Sequence, residues 1–104
     1  MAEATEGTIE SLIKLKNLNA PRLTPEHIDK TIKSVQYYIF PGTQLTVCCM
    51  QLTNGYTVTG ESACASPENF DQAIGEQIAY TNAREKIWAL EGYLLRQMLY
   101  EISK

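Results

Sequence analysis

At 104 residues, with 44 % hydrophobic and 20 % charged positions, the chain is long enough for one modest core and too short for two. A net charge of −3 gives no field that would gather DNA or RNA polymers. Cys48, Cys49 and Cys64 make no CxxC pair, MAEATEGTIESLIKLKNLNA lacks the basic start and apolar stretch of a signal peptide, and no apolar run approaches a membrane span, so a soluble protein of a reducing cytosol is expected.

Residues 1–23 are expected to form a loosely attached segment, and residues 24–104 a single domain. Within the first, EGTIESLIKLKNL sets Ile9, Leu12, Ile13 and Leu15 near helical spacing, and NAPRL, residues 19–23, reads as a linker. The domain opens with TPEHIDKTIKSV. Thr24 is placed as an N-cap, Pro25 at the first helical position and Glu26 near the positive end of the dipole, with Ile28, Ile32 and Val35 as the apolar face.

Three runs rich in β-formers follow: VQYYIF, QLTVCCMQL and YTVTGESA. Pro41-Gly42 and Asn54-Gly55 punctuate them, which predicts an antiparallel three-stranded meander. A two-residue turn at Asn54-Gly55 sets Gln51 opposite Val58, Cys49 opposite Gly60 and Val47 opposite Ser62, with Met50 and Thr59 on the other face. Gly60 then either leaves a gap for a backbone, a helix or a ligand, or marks a bulge.

The last element is placed from Ser66 as N-cap, with Pro67 at the first helical position and Glu68 and Asn69 in the first turn. Ile74, Ile78, Ile87, Leu90, Leu94, Met98 and Ile102 recur at helical steps, so the helix continues almost to Lys104. A helix of about 30 residues extends roughly 45 Å, whereas a strand of about 8 residues spans only some 27 Å. Unless the chain bends at Gly75 or Gly92, its second half overhangs the sheet and leaves Trp88, Tyr93, Leu94, Leu95, Met98, Leu99 and Tyr100 without cover. A second copy is the simplest cover, which predicts a homo-oligomer, a dimer or a ring of dimers. The alternative is a break near Gly92 that folds the tail back as a hairpin. The expected fold is therefore α+β: short N-terminal helices, a three-stranded antiparallel meander and a long C-terminal helix.

Catalytic constellations are missing from the pattern. His27, the single histidine, sits in a first helical turn and reads as a surface residue; Cys48 and Cys49 are consecutive in a strand and point to opposite faces. Cys64 has only His27 available as a base, and Glu61, Glu68 and Asp71 sit where helix starts are usually charged. No enzyme activity, metal or cofactor is expected. What remains is binding. Phe70, Tyr80, Trp88, Tyr93 and Tyr100 lie on or beside the long helix with Arg84, Lys86 and Arg96, a mixture suited to a small anionic ligand with a planar ring. The same aromatics at helical spacing also suit a core.

LNAPRLTPEHID, LTVCCMQLTNGYTVTGESACASPENFD and IGEQIAYTNAREKIWALEGYLLRQML together resemble a family of small tailed-phage proteins known by gene-product number, forty-nine in one coliphage and sixty-six in a Shigella phage. The likeness covers about residues 17–100, and NGYTVTGESAC, PENFD and KIWALEGYLL are its most specific parts. Relatives often carry a longer insertion where this chain has only Pro41 to Thr43. The family is similar to phage Thoeris anti-defence proteins. That resemblance implies a counter-defence protein in the cytoplasm of the infected bacterium, which binds a cyclic ADP-ribose isomer, and in some members cyclic oligonucleotides, without cleaving it. For such a ligand, chemistry assigns Phe70 to stack on adenine, Arg84 and Arg96 to pair with phosphates, and Asn69 or Asn82 to hydrogen-bond a base edge or ribose. A protein–protein inhibitor of a host enzyme and a virion-associated part are the alternatives.

Overall fold

The computed structural model describes residues 6–15 and 21–103. They form an α+β fold: α1 (Glu6–Leu15), α2 (Pro25–Thr31), β1 (Ile32–Ile39), β2 (Leu45–Leu52), β3 (Thr57–Ala63), a 3₁₀ turn (Pro67–Asn69) and α3 (Gln72–Ile102). Of the expected linker, Asn19 and Ala20 lie outside the described residues. The strands make one antiparallel sheet in the order β1-β2-β3.

α2 begins as its sequence dictates. Thr24 is extended and its hydroxyl accepts the His27 N–H at 3.1 Å, with Pro25 in the first turn. It ends sooner than expected. Ile32 and Val35, assigned to its apolar face, lie in β1, where they pair with Leu52 and Met50. β-Branched residues followed by Tyr37 and Tyr38 favour the pleated strand once a partner is available.

The β2–β3 register corrects the expectation by one residue. Met50 stands opposite Val58, Cys48 opposite Gly60 and Thr46 opposite Ser62. The cause is a three-residue connection. Leu52 N–H donates to the Tyr56 carbonyl at 2.7 Å and Gly55 N–H to the Leu52 carbonyl at 2.9 Å, so Thr53, Asn54 and Gly55 form the loop. Gly55 takes φ +91°, the left-handed position that such a loop requires. A slip of one residue exchanges the faces of a strand. Cys48, Met50, Leu52 and Val58 consequently face the core, together with Ile28 and with Ala79, Ala83 and Ile87 of α3.

Gly60 is a place of close approach. A Cβ there would fall 2.2 Å from the Ala83 nitrogen and 2.4 Å from the Ala79 oxygen, so the helix backbone rests directly on the strand. That proximity selects alanine for the helix face beneath. It also corrects the apolar face read from periodicity: Ile74 and Ile78 are 60 % and 45 % exposed, on the far side of α3.

The start of α3 also lies later than expected. Ser66 and Pro67 open only the 3₁₀ turn, in which the Ser66 hydroxyl bonds the Glu68 carboxylate and holds its pKa below the ordinary value. Phe70 is then extended, and Asp71 is the true N-cap, its carboxylate accepting the Ile74 N–H at 3.0 Å. From Gln72, α3 runs 31 residues through Gly75 and Gly92 without a break, which excludes the folded-back hairpin. At 1.5 Å per residue it is about 46 Å long. Ile87 is its last buried residue, and beyond it Leu94 and Met98 are about half exposed on the continuation of the core-facing side. None of the described helices is long and apolar enough to cross a membrane.

Candidate functional site

The five residues assigned to ligand binding fall in separate regions of a protomer. Asn69 and Phe70 share a small recess, about 90 Å³, at the start of α3, walled by Ser62, Cys64, Gly75 and Ile78. It exists because the 3₁₀ turn and α3 are separated by the extended Phe70, and because Gly75 carries no side chain. A Cβ on Gly75 would lie 3.1 Å from Thr46 Oγ1. Thr46 is fully buried, and its hydroxyl has no hydrogen-bond partner among the described residues.

Asn82 lies over the β3 side of the sheet. Its amide Nδ2 donates to the Glu61 carbonyl at 2.9 Å, which ties α3 to the strand and leaves Oδ1 as an acceptor. Arg84 faces the N-terminal helices. Its Nε donates to Asp29 Oδ1 at 2.8 Å, its Nη2 to the Pro25 carbonyl at 3.2 Å, and its Nη1 pairs with Glu6 of α1. The bond to Glu6 raises the guanidinium pKa against the opposing effect of burial, and Asp29 adds to the rise.

Around Arg84 the structure assembles Trp88, singled out with it from the sequence, and Glu6, Glu10 and Arg22, which were not. Trp88 Nε1 donates to the same Glu6 oxygen at 3.2 Å, and Arg22 pairs with Glu10 at 2.8 Å. Beside these contacts lies an open cavity of about 390 Å³, lined by Ile9, Ile13, Leu23 and Pro25 as well as Trp88 and Arg22. The available signal was the four-residue spacing of Glu6 and Glu10, which places both carboxylates on one side of a helix.

Arg96 stands apart on the overhanging part of α3, exposed and with no partner among the described residues. Along the helix it is about 36 Å from Gln72, far beyond the reach of the Phe70 recess within one protomer. His27 is exposed, with Nε2 3.2 Å from Glu91 Oε2. Cys48 is buried, which pushes its thiol pKa up with a smaller contribution from Cys49, while Cys49 is exposed on the outer face.

Residues 23–99 match a family model described as the phage protein (N4 Gp49/phage Sf6 gene 66) family. No curated protein matches the chain, and no solved structure does.

Proposed function

The chain belongs to this phage protein family, and on that premise we propose that it is a counter-defence protein which binds a cyclic nucleotide immune signal between protomers and holds it uncleaved. The ligand class is a cyclic ADP-ribose isomer or a cyclic oligonucleotide, met in the cytoplasm of the infected bacterium. One observation carries the reading: the unpartnered Arg96 lies on the same side of α3 as Ile78, and Ile78 lines the Phe70 recess. The two are five helical turns apart at about 3.6 residues per turn. Two α3 helices laid antiparallel over their full length bring residue 96 of one across from residue 78 of the other. Each recess then receives an arginine from the second copy.

In that arrangement Phe70 stacks on the ring, Arg96 of the second copy pairs with phosphate, and Asn69 and the free Oδ1 of Asn82 take polar atoms of base or ribose. The pairing also covers Ile74 and Tyr93, exposed residues that flank that side of α3. Sequestration rests on contacts made in the ground state, so a site without acid–base or nucleophilic machinery suits it.

The test is calorimetry and thermal shift with cyclic ADP-ribose isomers and cyclic di- and trinucleotides, followed by release of the ligand and chromatography. Saturable binding of one of them, with the ligand recovered intact, is expected. Cleavage on release would make the protein an enzyme. Failure to bind any of them would sink the reading and leave inhibition of a host protein as the account to pursue.

A further inference from the structure

Both arginines beside the large cavity are engaged by carboxylates of α1, Arg84 by Glu6 and Arg22 by Glu10, and the indole N–H of Trp88 shares Glu6. Among the described residues, none of the fully buried core residues comes from α1, and polar tethers with the walls of an open cavity join its described side chains to the rest of the chain. We propose that α1 is an internal occupant of an anion-binding site, and that its two glutamates stand where a planar-ring ligand with two anionic groups, of the nucleoside diphosphate class, binds after displacing it.

The chemistry of exchange is balanced. Two carboxylates four residues apart on a helix have Cβ atoms about 5–6 Å apart, a separation that the outer oxygens of a diphosphate can match. Two negative charges leave Arg22 and Arg84 and two or more replace them, so no arginine is left unpaired in a half-buried setting. Phosphate accepts bidentate bonds from guanidinium as carboxylate does. The side chain of Arg84 is only 15 % exposed and is steadied from behind by Asp29 and the Pro25 carbonyl, both of which remain when α1 leaves. Of the cavity wall, Arg22, the Trp88 ring, the apolar surface of Leu23 and Pro25, and the Glu85 carboxylate at the rim remain when α1 leaves, so a planar group has a stacking face there. This place is distinct from the Phe70 recess, so its fate is independent of the proposal made for that recess.

The experiment uses the full chain carrying Glu6→Gln and Glu10→Gln together, with ADP and inorganic pyrophosphate as probes. Titration is followed by calorimetry and by the fluorescence of Trp88, the only tryptophan. Neutralising both glutamates is expected to tighten ADP binding at least tenfold over wild type and to let ADP perturb Trp88 emission. Pyrophosphate should gain less, for want of a ring. Adding Arg84→Gln should remove the gain. Equal affinity of wild type and the double variant would overturn the proposal, as would a gain that survives Arg84→Gln. Should the double variant fail to fold, hydrogen exchange on the wild type decides: excess ADP should speed exchange across residues 6–15, and an unchanged rate would overturn the idea. If the wild type also binds a cyclic nucleotide and Glu6→Gln/Glu10→Gln leaves ADP affinity unchanged, the α1 inference fails while sequestration stands.

Discussion

The backbone nitrogen of Ala83 occupies the space that a side chain on Gly60 would need, 2.2 Å from the Cβ position. Gly60→Ala therefore forces strand and helix apart, since the opposing atoms are backbone and no rotamer can relieve them. We expect a loss of about 3 kcal/mol or more, seen as a fall in Tm of more than about 10 °C. Gly92→Ala is the control: its Cβ meets only Leu23 Cδ1 at 3.9 Å, and the change should stabilise the helix by about 0.5–1 kcal/mol. Similar melting points for the two variants would contradict the close contact.

Adjacent cysteines report the strand register. Iodoacetamide labelling of the native protein, read by mass spectrometry, should modify Cys49 first, because it is exposed, and leave Cys48 unmodified until the protein unfolds. Burial raises the Cys48 pKa, so less of it is thiolate at any pH below that value, which adds to its protection. Cys48 labelling as fast as Cys49 would mean that β2 is slipped by one residue.

Two buried threonines should respond in opposite directions to the same substitution. Thr46 Oγ1 has no hydrogen-bond partner among the described residues, and Thr46→Val removes a stranded polar atom, for an expected gain of about 1 kcal/mol. Thr31 Oγ1 donates to the Ile28 carbonyl at 2.7 Å, and Thr31→Val should cost about 1 kcal/mol. Chemical denaturation with a shared m-value measures both. A destabilised Thr46→Val would show that its hydroxyl is bonded in solution.

Assembly is read by light scattering. The wild type should form an even-numbered homo-oligomer, and Tyr93→Arg should yield a smaller species with little change in the helical signal, because Tyr93 is 75 % exposed within one chain and flanks the side of α3 that carries Ile78 and Arg96. A monomeric wild type would remove the antiparallel pairing of α3 on which the recess depends.

Much of this architecture was legible from short-range chemistry. Thr24 and Pro25 act as the cap and first turn that their types specify, and the meander and long helix are where β-formers and helical spacing put them. Errors arose where a local motif has two outcomes of similar energy. Asn54-Gly55 serves a two-residue turn or the end of a three-residue loop, and the choice flips every side chain of β3 relative to β2. Ser66-Pro67-Glu68 starts a helix or a single 3₁₀ turn, and the extended Phe70 shows which occurred. Alanine escaped notice for another reason: Ala79 and Ala83 face the core because Gly60 admits the helix backbone, a tertiary fact that hydrophobic spacing does not carry. Of the residues assigned to binding, Asn69 and Phe70 share one recess, whereas Arg84 and Arg96 lie elsewhere for reasons of helix length and partner choice.

Chain order also sets a hazard during synthesis. The sheet is complete at Ala63, yet the residues that cover its apolar face, Ala79 to Ile87, emerge up to about 24 residues later. At roughly 5–20 residues per second, the nascent sheet stays uncovered on the order of 1–5 s. During that interval Met50 and Val58 are wet, and β1 presents a free edge of the kind that pairs with neighbouring chains. Ribosomes spaced closely on one message hold such sheets side by side. Slower initiation, which spreads them out, should raise the soluble yield more than any change to the finished surface.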